Sequence, residues 1–287
     1  MKILLLGSNG QLGWELQRTC PSYVTLTTCD YPKVDFLSAD SLHQCINSAK
    51  PDCIINAAAY TAVDKAEQET DLADRINHQA VLEIATQCRQ NTIRLIHIST
   101  DFVFNGQAFK PYQPFDTPKP ESVYGRSKLL GEKAVQTTLE DKALIIRTAW
   151  LYSSHGNNFV KTMLTLMKEK QHLTVIDEQI GTPTWAFGLA TAIWTAMDKN
   201  IKGIHHFTDA GVASWYDFAM AIQEEGLATG LLNTAIPILP VGTLSYPTPA
   251  KKPLYSVLDK TSFWQALNLT PRHWRVQLRS MLKDLLP

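Results

Sequence analysis

The chain carries little charge. Of its 287 residues, 19% are charged, and the formal net charge is zero. It has no basic stripe and no long Lys/Arg run, which argues against nucleic acid and anionic membrane as partners. Long apolar runs are also missing. The run from Ile3 to Leu6 stops at Gly7, too short for a signal-peptide core or a bilayer span. Five cysteines (Cys20, Cys29, Cys45, Cys53, Cys88) are odd in number and never in CxxC spacing. That points away from a disulfide framework and toward reduced, mostly buried thiols in a cytoplasmic protein. Eight histidines are scattered, and His205-His206 fall in an expected strand without cysteine or acidic companions. Core or surface histidines are expected there, and no metal. Apolar residues at 45% are ordinary for a globular chain.

The first half alternates strand and helix signals. "KILLLG" is a short apolar run ending in glycine, as a strand buried on both faces requires. "YVTLTTCD", "DCIINAAA", "IRLIHIST" and "ALIIRTAW" read as four further strands, with helices between them, including one from Thr70 to Gln90. Such alternation predicts an α/β fold: a Rossmann-type, doubly wound parallel sheet with right-handed crossovers. After Trp150 the pattern loosens. Helices are expected near 157–168, 187–198, 215–226 and 271–285, and five prolines between Pro237 and Pro253 suggest extended loops. Residues 1–150 therefore read as a dinucleotide-binding domain. Residues 151–287 read mainly as a smaller C-terminal substrate-binding portion, with some segments returning to the first domain.

Gly7, Gly10 and Gly13 lie in "GSNGQLG", between the first strand and the first helix. Glycine permits the tight turn and lets backbone N–H groups approach a pyrophosphate at a helix N-terminus. Gly7, Gly10, Gln11, Leu12 and Gly13 are thus candidate cofactor contacts. Asp30 closes the second strand, where a carboxylate can bind a ribose 2′-hydroxyl; a turn residue before Tyr31-Pro32 is the other reading. Asp35 and Phe36 could hold an adenine edge. In "NAAAYTAVDKAE", Ala58, Ala59, Tyr60 and Thr61 follow the third strand. Their small side chains leave room for a ligand, although tight helix packing would favour the alanines as well.

The fourth strand ends in "HISTDFVFNG", placing Thr100 and Asp101 at the same sheet edge. Tyr124 and Lys128 follow in "YGRSK", four residues apart and so on one helix face. A solvated surface pair is the bland reading. An ammonium that lowers the phenol's pKa for proton transfer is the sharper one.

GxxGxxG, a Ser/Thr after the fourth strand and YxxxK occur here in order, and in this the chain resembles the extended short-chain dehydrogenase/reductase family. The blocks "GSNGQLGWELQ", "STDFVFNG", "RTAWLY", "GNNFV", "DEQIGTPT" and "PLYSVLD" are similar to those of the dTDP-4-dehydrorhamnose reductases. The resemblance implies reduction by NADPH or NADH of the C4 ketone of dTDP-4-dehydro-L-rhamnose, for rhamnose-containing polysaccharides. It implies Tyr124 as proton donor, Lys128 as ribose holder and phenolate stabiliser, and Thr100 as the residue orienting the ketone. Asp101, Trp150 and Lys252 become substrate candidates, with Ser256 and Asp259 nearby; core aromatic and solvated surface remain the other readings of Trp150 and the Lys252 loop. Phe102 replaces the tyrosine usual in "STDYVF". Lys252-Pro253 replaces a frequent Arg-Pro, which loses bidentate phosphate contact.

Two other readings stay open. Dehydratases of the superfamily resemble "TDEVYG" after the fourth strand, but Phe102 cannot take a proton as that glutamate would. The regulatory subunit of methionine adenosyltransferase resembles the same family and binds without catalysis, and other nucleotide-sugar reductases and epimerases are further neighbours. Some relatives are dimers bridged by Mg²⁺ through carboxylates. Glu15 matches one such position, but "FGLATAIW" offers no acidic partner, so no required metal and a monomer or weak homodimer are expected.

Overall fold

Ile3, Leu4, Leu5 and Leu6 are all buried, as a strand covered on both faces requires. They belong to β1 (Lys2–Leu6) in the computed structural model, which describes residues 1–286. Then come α1 (Gln11–Arg18), β2 (Thr25–Cys29), α2 (Ala39–Ala49), β3 (Cys53–Asn56) and α3 (Val63–Ala66). Next are α4 (Thr70–Asp74), α5 (Ala80–Gln90), β4 (Arg94–Thr100), α6 (Val123–Leu139) and β5 (Leu144–Thr148). Beyond Trp150 lie β6 (Leu151–Tyr152), α7 (Phe159–Glu169), β7 (Leu173–Ile176), β8 (Ile180–Gly181), β9 (Thr184–Trp185) and α8 (Ala186–Asp198). The chain continues through β10 (Gly203–His206), β11 (Ala213–Ser214), α9 (Trp215–Ala228), β12 (Ile238–Val241), α10 (Thr261–Leu267) and α11 (Trp274–Lys283). Pro287, the last residue of the expected C-terminal portion, lies outside the described residues.

The main sheet has the order β10-β5-β4-β3-β1-β2, and every pair in it is parallel. The order reverses between β1 and β3, where open α/β sheets bind ligands beyond the strands' carboxyl ends. The fold is the expected doubly wound α/β sheet, with a sixth strand added. That strand, β10, contains His205-His206. His206 is buried, with Nδ1 3.1 Å from the carbonyl oxygens of Tyr112 and Asp259. It is a satisfied core histidine, and burial with the nearby Arg147 guanidinium pushes its pKa down to about 3.

Side chains alternate across the sheet, so one strand feeds two cores. Ile3, Leu5, Ile55 and Ile146 pack against α1 and α8 through Leu16, Leu189 and Ile193. Leu4, Leu6, Ile54 and Ile145 pack against α2, α5 and α6 through Ile46, Ile84 and Val135. Each fully buried side chain of this size contributes about 1.5–3 kcal/mol. A third core joins α7, α9 and α11 through Leu164, Phe218, Ile222 and Leu278. Thus α8, β10 and α10 return to the first sheet, while α7, α9 and α11 build a separate core beside it.

Three expectations need correction. The helix expected over Thr70–Gln90 contains a π-helical stretch at Arg75–Gln79. The extra residue in that turn brings the buried Asn77 to the loop after β3. Its Oδ1 accepts from the Tyr60 N–H at 2.9 Å, and its Nδ2 donates to the Tyr60 carbonyl and Ser127 Oγ, both at 3.0 Å. The proline-rich stretch is not all loop, since β12 pairs with β7 in parallel. The five thiols are free, but only Cys53 and Cys88 are buried; Cys20, Cys29 and Cys45 are half-buried. No helix among the described residues is long and apolar enough to cross a membrane.

Candidate active site

The glycine turn is built against two neighbours. Gly7 has a φ of +80°, and a Cβ there would lie 2.5 Å from the Ala58 nitrogen, so only glycine fits. Its N–H donates to the Cys29 carbonyl at 3.1 Å. Asp30 completes the cradle. Its Oδ2 accepts from the Asn9 N–H and its Oδ1 from the Tyr31 N–H, both at 2.8 Å. The carboxylate is therefore a turn residue and at the same time part of a cavity wall.

That cavity measures about 680 Å³ and opens at the carboxyl edge of the sheet. Gly7, Gly10, Gln11, Leu12, Asp30 and Phe36 form one side of it. Ala58, Ala59, Thr61, Thr100, Asp101, Tyr124, Lys128 and Trp150 line it as well. The structure thus brings together most of the residues expected from the sequence. Gly13, Asp35 and Tyr60 are off the wall. Gly13 sits beneath the turn, against the Gly7 carbonyl. Asp35 Oδ1 accepts from the Leu37 N–H at 2.9 Å, and the Tyr60 hydroxyl donates to Glu69 Oε2 at 2.5 Å.

Helix α6 delivers Tyr124 and Lys128. Ser122 caps it, its Oγ accepting from the Gly125 N–H at 3.1 Å, and Glu67 Oε1 accepts from the Val123 N–H at 2.8 Å. The helix presses onto the turn at Asp101–Val103. A Cβ on Gly125 would meet the Phe102 carbonyl oxygen at 2.2 Å, which explains the glycine after the tyrosine. The Phe102 ring stands edge-on to Tyr124, with centroids 5.5 Å apart. Thr100 Oγ1 donates to Asp101 Oδ1 at 3.0 Å and accepts from the Phe102 N–H at 3.2 Å.

The electrostatics differ from the expectation that Lys128 lowers the tyrosine's pKa. Lys128 is buried, and its Nζ donates to the Ile98 carbonyl at 2.7 Å rather than to the phenol. Protein packed around the Tyr124 hydroxyl lifts its pKa to about 12; Thr100 opposes the shift and the Asp101 carboxylate adds to it. Burial lowers Lys128 to about 8, against a smaller opposing effect of Glu132. Burial also raises Asp101 to about 6, opposed by the Ser256 and Thr100 hydroxyls. Desolvation dominates the Tyr124 shift, and the Lys128 ammonium is held on a main-chain oxygen instead.

One turn beyond Lys128, Glu132 makes a buried, two-pronged pair with Arg147 of β5. Arg147 Nε donates to Oε1 at 2.9 Å and its terminal nitrogen to Oε2 at 2.7 Å. Ser99 Oγ also donates to Glu132 Oε1, at 2.5 Å. These contacts fix the middle of α6 against β4 and β5.

A second cavity, of about 620 Å³, adjoins the first and shares Thr61, Val63, Phe102 and Trp150 with it. Phe159, Met163, Leu166, Trp215 and Tyr246 supply its apolar wall, and Gln179, Lys252 and Ser256 its polar positions. Lys252 Nζ also pairs with Asp64 Oδ2 at 3.1 Å. Asp259 is elsewhere, accepting from Gln113 Nε2 at 2.6 Å. Trp150 holds a left-handed backbone (φ +46°) and stacks on Trp215 with centroids 3.6 Å apart. A strained non-glycine residue at the junction of two cavities marks a built site.

A family model described as the RmlD substrate binding domain matches residues 1–286. The chain belongs to this family. The dTDP-4-dehydrorhamnose reductase of Escherichia coli K12 is 41% identical, over 99% of this chain and 98% of that protein. A solved dTDP-4-dehydrorhamnose reductase from Clostridium acetobutylicum superposes with a TM-score of 0.93 at 38% identity, over 99% of each chain. That of Bacillus anthracis, solved in complex with NADP, gives 0.92 at 33% identity, again over 99% of each chain.

Within this RmlD-family chain, sequence reasoning missed several wall residues. Gly156, Asn157 and Asn158 line the first cavity, and "GNNF" was their signal. Asn158 also caps α7, its Oδ1 accepting from the Lys161 N–H at 3.1 Å. Phe159, Met163 and Trp215 gave no signal beyond helical spacing. Glu15 is buried, bonded to Ser153 Oγ at 2.8 Å and to Arg18 at 2.8 Å. Among the described residues, no group of three His, Cys, Asp or Glu side chains is placed to hold a metal ion.

Proposed function

We propose that the chain reduces the C4 ketone of dTDP-4-dehydro-L-rhamnose to dTDP-L-rhamnose, with NADPH or NADH as reductant. The observation that carries this reading is the shared wall. Two cavities of nucleotide size meet at Thr61, Val63, Phe102 and Trp150, and Thr100 and Tyr124 stand beside that meeting point. The Gly7 turn, packed too closely on Ala58 for any Cβ, lines the first cavity at the start of α1, where a pyrophosphate would sit. Asp30 would hold the adenosine ribose and Lys128 the nicotinamide ribose. When bound, the nicotinamide would supply the hydride.

The chain's own residues handle the proton. As the ketone oxygen gains negative charge, Thr100 orients it and the Tyr124 phenol protonates it. A pKa of about 12 keeps the phenol protonated at neutral pH, so the acid is loaded before each turnover. Lys128 keeps its ammonium below about pH 8 on the Ile98 carbonyl, where it serves the nicotinamide ribose. Phe102 lies where a dehydratase would carry a carboxylate, and an apolar ring favours reduction over dehydration. A non-catalytic binding subunit would not need two adjoining cavities with an acid between them.

In this reading residues 1–150 mainly hold the cofactor and 151–287 mainly the nucleotide sugar, in a cytoplasmic monomer or weak homodimer without required metal. Asp101, Trp150 and Lys252 contact the sugar nucleotide. The test is NAD(P)H consumption with dTDP-4-dehydro-L-rhamnose. Turnover with formation of dTDP-L-rhamnose supports the proposal, and tight cofactor binding without consumption would replace it with the binding-subunit reading.

A further inference from the structure

Cys29 and Cys45 stand in an unusual relationship. The Cys45 thiol donates to Cys29 Sγ at 2.9 Å, and both residues are half-buried. Cys29 ends β2, and Cys45 lies on α2. Both pack against the core cluster that also receives Phe36, a wall residue of the first cavity. Cys29 is also joined to the glycine turn. Its carbonyl accepts from the Gly7 N–H at 3.1 Å, and the next residue, Asp30, accepts from the Asn9 N–H.

We propose that Cys29 and Cys45 form a thiol-oxidation site that closes to a disulfide and weakens cofactor binding. A disulfide bond is about 2.05 Å long, so closure shortens the 2.9 Å separation of the two sulfurs by close to an ångström, a movement shared between the side chains and the backbones of β2 and α2. The glycine turn has no slack to absorb this, because Gly7 already abuts Ala58 on its other side. A small displacement of Cys29 therefore moves the Gly7 and Asn9 amides.

The oxidant is a low-molecular-weight disulfide such as glutathione disulfide. Cys29 Sγ, as thiolate, attacks one sulfur of the oxidant and expels the first thiol, giving a mixed disulfide. Cys45 Sγ then gives up its proton, attacks Cys29 Sγ and expels the second thiol. Two protein thiols and one disulfide thus become one protein disulfide and two small thiols. Burial, then the Cys29 sulfur beside it, hold the Cys45 thiol up to about 12. Cys45 is thereby a poor first nucleophile and takes the resolving step.

The affinity readout rests on the cofactor reading above, whereas the chemistry can be read without it. The full-length protein is incubated with glutathione disulfide, then analysed by intact mass and by peptide mapping after alkylation. The expected result is loss of two hydrogens and a Cys29–Cys45 cross-linked peptide. NADPH affinity, followed by fluorescence, should fall roughly tenfold and recover with reductant. Cys45→Ser should instead stop at the glutathione adduct on Cys29, and its untreated form should bind NADPH as the wild type does. Separately alkylated Cys29 and Cys45, a cross-link through another cysteine, or a Cys29–Cys45 disulfide with unchanged affinity would each overturn the proposal. Failure of the untreated wild type to bind NADPH would count against the cofactor reading instead, with the peptide map still deciding the disulfide.

Discussion

Trp150 and Trp215 lie face to face, with ring centroids 3.6 Å apart and planes 7° from parallel. Trp150 belongs to both cavities and Trp215 only to the second. Trp215→Ala should therefore raise KM for the nucleotide sugar by about tenfold, the scale of a lost aromatic pair, while cofactor KM stays within about twofold. Steady-state kinetics with each substrate varied in turn will show this. A larger effect on the cofactor would mean that the second cavity serves another ligand.

Tyr124→Phe keeps the ring against Phe102 and removes only the acidic hydrogen. Turnover should drop by about a hundredfold or more, with NADPH affinity nearly intact. Full activity in this variant would remove Tyr124 from the role of proton donor.

Lys128 predicts the alkaline side of the pH profile. Burial sets its pKa at about 8, so kcat/KM should decline as pH rises through that value and the ammonium is lost. Lys128→Met should weaken cofactor binding and abolish this limb. A variant that keeps the wild-type limb would assign it to another group.

Asp30 has two partners in the glycine turn and a place on the cavity wall. The wild type should use NADH and NADPH within roughly tenfold of each other in kcat/KM. Asp30→Ala should tilt the ratio toward NADPH, because repulsion of a 2′-phosphate and an acceptor for a 2′-hydroxyl disappear together. It should also raise KM for both, since the Asn9 N–H loses its acceptor. Paired kinetics at one ionic strength decide; an unchanged ratio would leave Asp30 as a turn residue alone.

Outside the walls of both cavities, Asp209 is buried and accepts from the Trp185 N–H at 2.9 Å. Burial lifts its carboxyl to about 7, opposed by that N–H, by Gln277 and by Lys260. Below about pH 4 the folded and unfolded chains both hold this proton. Between there and pH 7 the unfolded chain releases it while the folded chain keeps it, so stability falls as pH rises. Asp209→Asn should remove this fall. Tm curves for the two proteins should diverge from about pH 4 upward, the variant being more stable at pH 8. Parallel curves would show that the carboxyl ionises freely in the fold.

Much of the first half was legible because its signals are local. An apolar run such as Ile3–Leu6 must be covered on both faces, and a glycine between strand and helix must turn. The rest depended on contacts between distant segments. Nothing around Arg75–Gln79 announces a π turn, because its reason is the loop at Tyr60. Phe159 and Trp215 look like any apolar helix positions until α7 and α9 are set beside the sheet. The pKa of Tyr124 was misjudged for the same reason. Spacing places Lys128 near the phenol but says nothing of the Ile98 carbonyl that receives its proton donor, nor of the burial that dominates.

The buried pair of Glu132 and Arg147 ties two sequence positions into a single heritable unit. Loss of either partner alone leaves a bare charge in the core and costs about 3–5 kcal/mol, whereas an apolar pair of similar volume can be neutral. Among descendants of this chain, positions 132 and 147 should thus drift in concert or not at all. The register of the helix bearing Tyr124 is inherited through two charges that no substrate reaches.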